Sequence, residues 1–230
     1  MKNKWIALII NSLFAGAAIG FAAILYLYAS TFISADSAWL RIIPALLFCF
    51  GLYFIIVMGY KLFTGMVAGI PDMKIKEYVF LPVCYVFNTV AIVILCALVF
   101  AINNGMSQAV IAKAVAVTEG KLANNLGGAF VSAIFCGMMI TFAVKAPSFA
   151  TAKSLSGTLC IIFPVMLFVY MGFEHCIANN AYIALALFGK ANINAGRLIA
   201  FMVITALGNI VGGVTFPLLG KLIKKEPVQE

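Results

Sequence analysis

Charge is what this sequence has least of: only 10% of its 230 residues are Asp, Glu, Lys or Arg and 65% are hydrophobic, against about 25% charged and 45–50% apolar in an average soluble domain. A water-soluble fold is thereby excluded. The apolar runs are long, each approaching the ~20 residues that cross a hydrocarbon core, so lipid is the solvent for most of the chain. Cysteine pairing is also missing. Cys49, Cys84, Cys96, Cys136, Cys160 and Cys176 lie in apolar segments with no C-x-x-C spacing and no histidine cluster beside them. They read as small buried hydrophobes rather than disulfides or metal ligands. A basic stripe with interleaved aromatics is absent as well, which excludes nucleic acid as a partner. The 15 Lys+Arg against 7 Asp+Glu, net +8, sit singly between apolar runs, as loop anchors and orientation signals do.

What is present is a series of spans. Apolar stretches cover about 5–33, 41–60, 78–102, 125–144, 155–188 and 198–223, which predicts six transmembrane helices. Lys2 and Lys4 precede a first run of nearly thirty residues with no small-x-small cleavage pattern, as in a first span rather than a cleaved leader. The second span is interrupted by Lys61-Leu62-Phe63-Thr64-Gly65 through Pro71, the fifth by Gly172-Phe173-Glu174-His175-Cys176 through Asn180. Turns are expected at 34–37, at Asn103-Asn104-Gly105 and at 145–148, and residues 107–121, mixed in polarity, read as an interfacial helix between spans three and four. Counting basic residues on alternate sides gives nine on the side of the termini and five opposite, with Lys61 left out, so both termini are expected in the cytoplasm.

The halves look related. Spans two and five are both broken, and Asn88-Thr89-Val90-Ala91 in span three matches Asn209-Ile210-Val211-Gly212 in span six. The expectation is a single transmembrane domain over 1–230 with repeat halves of about 5–102 and 107–223. Each half crosses an odd number of times, so the repeat is inverted, and paired broken helices place a substrate path between the halves near the midplane. Irregular backbone at membrane depth survives only where protein buries it or water reaches it. The half-helices also turn positive N-terminal ends inward, which favours an anion.

His175 is the only histidine and adjoins Glu174. An ionisable residue inside a span marks a functional site by default. With an unperturbed pKa of about 6.5, an imidazole can attract a small anion or hand it a proton, so that a weak acid crosses as a neutral molecule. Lys121, at the start of span four, is placed to raise the local potential for anions or else to snorkel. Thr64 offers a hydroxyl at the first break; Phe48, Leu52 and Phe168 could narrow a path or simply pack; Asn88 and Asn209 are hydrogen-bonding glue between helices.

The chain resembles the formate/nitrite transporter family, which includes hydrosulfide channels. Gly172-Phe173-Glu174-His175-Cys176-Ile177-Ala178-Asn179 matches its G-F-E-H-x-x-A-N signature, Leu62-Phe63-Thr64 its L-F-T loop, and Gly208-Asn209-Ile210-Val211-Gly212 its sixth span. The resemblance implies an all-α, six-helix, aquaporin-like protomer with helices two and five broken, assembled as a homopentamer in the bacterial inner membrane, without cofactor. It implies His175 at the pore centre with Thr64, Asn209 and Glu174 around it, constrictions formed by Phe48, Leu52, Leu62, Phe63 and Phe168, and Lys121 in the outer vestibule. Gly137 stands where the formate branch has an asparagine near the pore, and Asn180 where the signature ends in methionine, so nitrite and hydrosulfide stand beside formate as expected substrates. Two other classes compete. An embedded enzyme would pair Cys176 with His175, yet adjacent helical residues point apart. An alternating-access transporter of a larger monocarboxylate would need more polar groups than the breaks supply.

Overall fold

The computed structural model describes residues 2–34, 37–146 and 154–223, so residues 35–36 and 147–148 of two expected turns, and the charged tail, lie outside the described residues. The described chain is helical: α1 Lys2–Thr31, α2 Ile42–Met58, α3 Phe63–Val67, α4 Phe80–Ile102, α5 Gly105–Ala123, α6 Leu126–Lys145, α7 Leu155–Tyr170, α8 Cys176–Phe188 and α9 Ala195–Ile223. Five segments, containing α1, α2, α4, α6 and α9, are long and apolar enough to cross a membrane, while α7 and α8 are shorter apolar helices.

Local rules set most of the boundaries. Asn104 caps α5 by accepting from the Ser107 N–H at 3.0 Å, Asn125 caps α6 through the Gly128 N–H at 2.6 Å, and Ser154 caps α7 through the Gly157 N–H at 3.1 Å. Each satisfies an orphan donor of a first turn. The helices α2 and α7 end alike. Gly59 (φ 73°) and Gly172 (φ 72°) take the left-handed conformation, and the next residues, Tyr60 and Phe173, donate five residues back to Ile55 and Phe168 at 3.0 and 2.9 Å. This is a Schellman stop that suits glycine, since a Cβ would be strained there.

The helices α1 and α4 pack along each other, as do α6 and α9, and α2 meets α7 between the two pairs. The α8 helix runs through the centre, with every residue from Cys176 to Ala186 buried. Outward faces carry Phe14, Phe21, Phe50, Leu98, Phe163 and Ile199, all exposed; such a surface suits lipid, not water. The helix expected at the interface, α5, packs against α8 and α1. The cause is its stripe of Ser107, Val110, Ala114 and Thr118, small enough to let helices approach closely.

Candidate functional site

Both interruptions are short. Helix stops at Met58 and resumes at Phe63, and stops again at Tyr170 and resumes at Cys176, so the first break lies earlier than the sequence suggests. Residues 59–62 and 171–175 expose amide groups that hydrocarbon cannot satisfy, and one buried asparagine serves each. Asn88 of α4 accepts the Phe63 N–H at 2.9 Å and donates to the Ser12 and Lys61 carbonyls at 2.7 and 3.1 Å. Asn209 of α9 accepts the Cys176 N–H at 2.9 Å and donates to the Ala133 and Glu174 carbonyls at 2.8 and 2.8 Å. In each case the amide clamps the two sides of one break to the helix beside it. That helix comes close enough because Gly16 and Gly137 have no side chain: a Cβ on either would collide with the carbonyl of Asn88 or Asn209. Gly137 is thus a helix contact.

The breaks meet through their side chains. Thr64 Oγ1 lies 3.0 Å from His175 Nε2, and both residues are 2% exposed. Nδ1 of the same ring caps α8 by accepting the Ala178 N–H at 2.9 Å. A nitrogen that accepts carries no proton, so here the ring is the Nε2–H tautomer and that hydrogen points to the threonine oxygen. Phe168 stacks on the imidazole with centroids 5.7 Å apart and an interplanar angle of 18°, and Phe48 meets Phe168 edge-on at 6.0 Å.

A cavity of about 100 Å³ adjoins the ring, lined by Phe48, Phe168, Lys121, His175 and Asn179 among others. It has space for only a few water-sized molecules. Leu52 and Leu62 line a different recess, of about 290 Å³, together with Lys61. The face on which that second recess opens carries the start of α1 and the end of α9, tied there by Lys4 to Glu77 at 3.2 Å and Lys221 to Asp72 at 2.7 Å.

The sequence model of the formate/nitrite transporter family matches residues 1–223. This chain belongs to the formate/nitrite transporter family. It is 28% identical over 202 residues to a probable formate transporter of Methanothermobacter thermautotrophicus, covering 76% of this chain and 72% of that one. It is 28% identical to a formate channel of Haemophilus influenzae, over 72% of this chain and 61% of the relative. An uncharacterized transporter of Bacillus subtilis is 36% identical over 104 residues, 45% of this chain. That match and one to a Bacillus thuringiensis formate channel span 38% and 39% of those proteins' own length. Among solved structures, a pentameric formate channel with formate bound superposes with a TM-score of 0.83 at 25% identity, covering 98% of this chain and 100% of that one. The protein is therefore an integral membrane protein of a transporter family.

Within the family frame, the residues singled out from sequence fall into three groups. His175 and Thr64 touch, and Phe48 and Phe168 lie on one side of them, Leu52 and Leu62 on another. Phe63 differs from expectation: its ring packs edge-on to Tyr85 at 5.2 Å and lines neither of these recesses, because the Asn88 bond fixes its backbone at the first residue of α3. Asn209 also differs. It holds the backbone on both sides of the histidine and makes no bond to the imidazole. Lys121 does not present a free charge, since its Nζ sits 2.6 Å from Glu174 Oε2.

Sequence reasoning missed the surroundings of that ion pair. Asn179 donates to the same Glu174 oxygen at 3.0 Å, and Ser132 accepts the Glu174 N–H at 3.1 Å. Next along α8, Asn180 donates to Thr89 at 2.8 Å and accepts from Tyr85 at 3.4 Å. The signal was there: two consecutive asparagines in an apolar run have to find partners across the bundle.

Proposed function

We propose that this chain is a membrane channel for small monovalent anions of weak acids, formate first, with nitrite and hydrosulfide in the same class. The observation that carries the reading is the Thr64–His175 contact at 3.0 Å, made where two interrupted helices meet and flanked by one recess on each side. The likeness to a formate channel with formate bound supports the substrate class. An anion arriving at the ring competes with the Thr64 oxygen for the Nε2–H hydrogen and meets the N-terminal end of α8, 13 residues long, whose dipole favours negative charge. Phe48 and Phe168 on one side and Leu52 and Leu62 on the other make a bare ion expensive. The favoured passenger is accordingly the protonated acid: a ring protonated at both Nδ1 and Nε2 gives its Nε2 proton to the anion, is left neutral with its hydrogen on Nδ1, and takes a proton back at Nε2 as the acid leaves. A doubly protonated ring has to give up the Ala178 cap, so the cap returns the imidazole to its neutral form.

The matched locks at Asn88 and Asn209 support an inverted repeat of the two halves, six crossings in all, with the path between them. The apolar flanks support a homopentamer, as in the solved relative, in which neighbouring copies cover part of that surface and lipid the rest. The excess of basic residues on the side of the termini supports a cytoplasmic location for both ends, in a bacterial inner membrane.

Purified protein in liposomes tests this. Formate, nitrite and hydrosulfide are expected to enter rapidly, at least one of them, and lactate slowly. His175→Asn is expected to change the pH profile of that flux between about pH 5 and 8, the range an imidazole titrates. Flux no faster than through protein-free liposomes, or lactate moving at the rate of formate, would overturn the reading. An unchanged pH profile in the variant would remove the proton step.

A further inference from the structure

Lys61 has no ion-pair partner among the described residues. Lys61 is exposed at the first break and lines the recess of about 290 Å³ bordered by Leu52, Ile55 and Leu62. Its backbone is fixed on every side. The N–H donates to the Asn11 carbonyl at 3.3 Å, and its carbonyl accepts from Asn88 Nδ2 and from Cys84 Sγ, each at 3.1 Å. The side chain therefore leaves an immobile stem, yet the ion pairs among the described residues are Lys4–Glu77, Lys121–Glu174 and Lys221–Asp72. Glu77, which shares a neighbouring recess with Lys61, is held by Lys4 at 3.2 Å.

The second break makes the vacancy meaningful. Lys61 stands to Asn88 as Glu174 stands to Asn209: in each, the carbonyl accepts from the clamping amide. At the second break the acid is matched by Lys121 at 2.6 Å. At the first break the corresponding residue is a base, and no acid among the described residues pairs with it. A cation in a half-enclosed apolar recess is stabilised by a mobile counter-ion.

We propose that Lys61 forms a second anion-binding station, on the far side of Leu62 from His175, which takes small monovalent carboxylates and inorganic anions as they enter or leave on the face that carries both chain ends. This deepens the channel reading and rests on it for the identity of the passenger. The station concentrates the charged form beside the Leu52–Leu62 barrier. Its action is electrostatic, so salt screens it.

The test uses the full chain in liposomes, with formate as the probe, at ionic strengths of about 0.01 M and about 0.15 M, where the screening length is ~30 and ~8 Å. Lys61→Gln is expected to raise the half-saturating formate concentration about fivefold at low ionic strength, with the gap closing at the higher one. Lys61→Glu is expected to raise it further, and Lys61→Arg to stay with the parent. Formate labelled with carbon-13, added to the purified protein in detergent, provides a readout that needs no conduction. Its line broadening in a His175→Asn background is expected to fall when Lys61→Gln is added. Half-saturation within twofold of the parent in both Lys61→Gln and Lys61→Glu, or line broadening unaffected by Lys61→Gln, overturns the station. A parent that broadens the formate line through Lys61 yet conducts none of the three anions would sink the channel reading and leave the station standing.

Discussion

The backbone of residues 59–63 and that of 172–176 are built alike, and their side chains are opposites. Each begins with a left-handed glycine, each is clamped by one buried asparagine making three hydrogen bonds, and each rests on a helix that a glycine lets in close. Lys61, Leu62 and Phe63 fill the first; Glu174, His175 and Cys176 fill the second. The comparison teaches that the clamp asks nothing of the residues it holds, because it works through their amides. The break is thus a frame into which different chemistry can be set. Here the frame presents a leucine on one side and an imidazole on the other, and it puts an uncompensated lysine where its counterpart has a neutralised acid.

Five sets of variants would break or sharpen that comparison. The largest effect is expected from removing a clamp. Asn88→Ala or Asn209→Ala removes three hydrogen bonds and leaves the Phe63 or Cys176 N–H without its acceptor, so either variant is expected to lose about 3 kcal/mol of stability in thermal unfolding in detergent. Equal losses would support equal clamps; a loss at one site alone would show that the two are not equivalent. Next comes the ion pair. With side chains 17% and 6% exposed, Lys121 and Glu174 leave a poorly solvated charge when separated. Glu174→Gln is expected to destabilise by about 2 kcal/mol, and adding Lys121→Met is expected to restore part of it. Lys61→Ala at the first break, by contrast, is expected to change unfolding by less than about 0.5 kcal/mol, as no partner is stranded. If Lys61→Ala proved as costly as Glu174→Gln, the contrast between the breaks would be lost.

Effects smaller than those of the clamps and the ion pair belong to the stops and to the contact between the breaks. Gly59→Ala and Gly172→Ala each force a Cβ into left-handed backbone and are expected to cost about 1–2 kcal/mol, again in parallel. Thr64→Val removes one hydrogen-bonding partner of Nε2 and is expected to cost about 1 kcal/mol. It should shift the pH profile of formate flux in the same sense as His175→Asn, while Thr64→Ser keeps the parent's profile. A Thr64→Val profile identical to the parent's would detach the hydroxyl from the proposed proton exchange.

Much of the site was legible in the sequence, and the residues explain why. His175 and Thr64 stand inside polar interruptions of apolar runs, and that contrast needs no partner to be seen. The clamping asparagines were visible as polar residues in spans, but their targets lie 25 and 33 residues away at the breaks and 76 residues away in α1 and α6. Nothing in the local pattern states which amide they satisfy. The same holds for Lys121, whose acid is 53 residues off, and for Phe63, which alternates with Leu62 so closely that pattern alone cannot say which faces the recess.

The sequence by itself determined the solvent, the helical class, the presence of two polar interruptions and the family signature, because hydropathy and backbone preference are properties of neighbouring residues. Only the tertiary structure decided that Thr64 meets His175 across 111 positions, that Lys121 is neutralised and Lys61 is not, and that Asn209 serves the backbone rather than the ring. Those outcomes depend on which helices the small residues allow to touch, and a charge or an amide takes its role from what packing brings within about 3 Å of it.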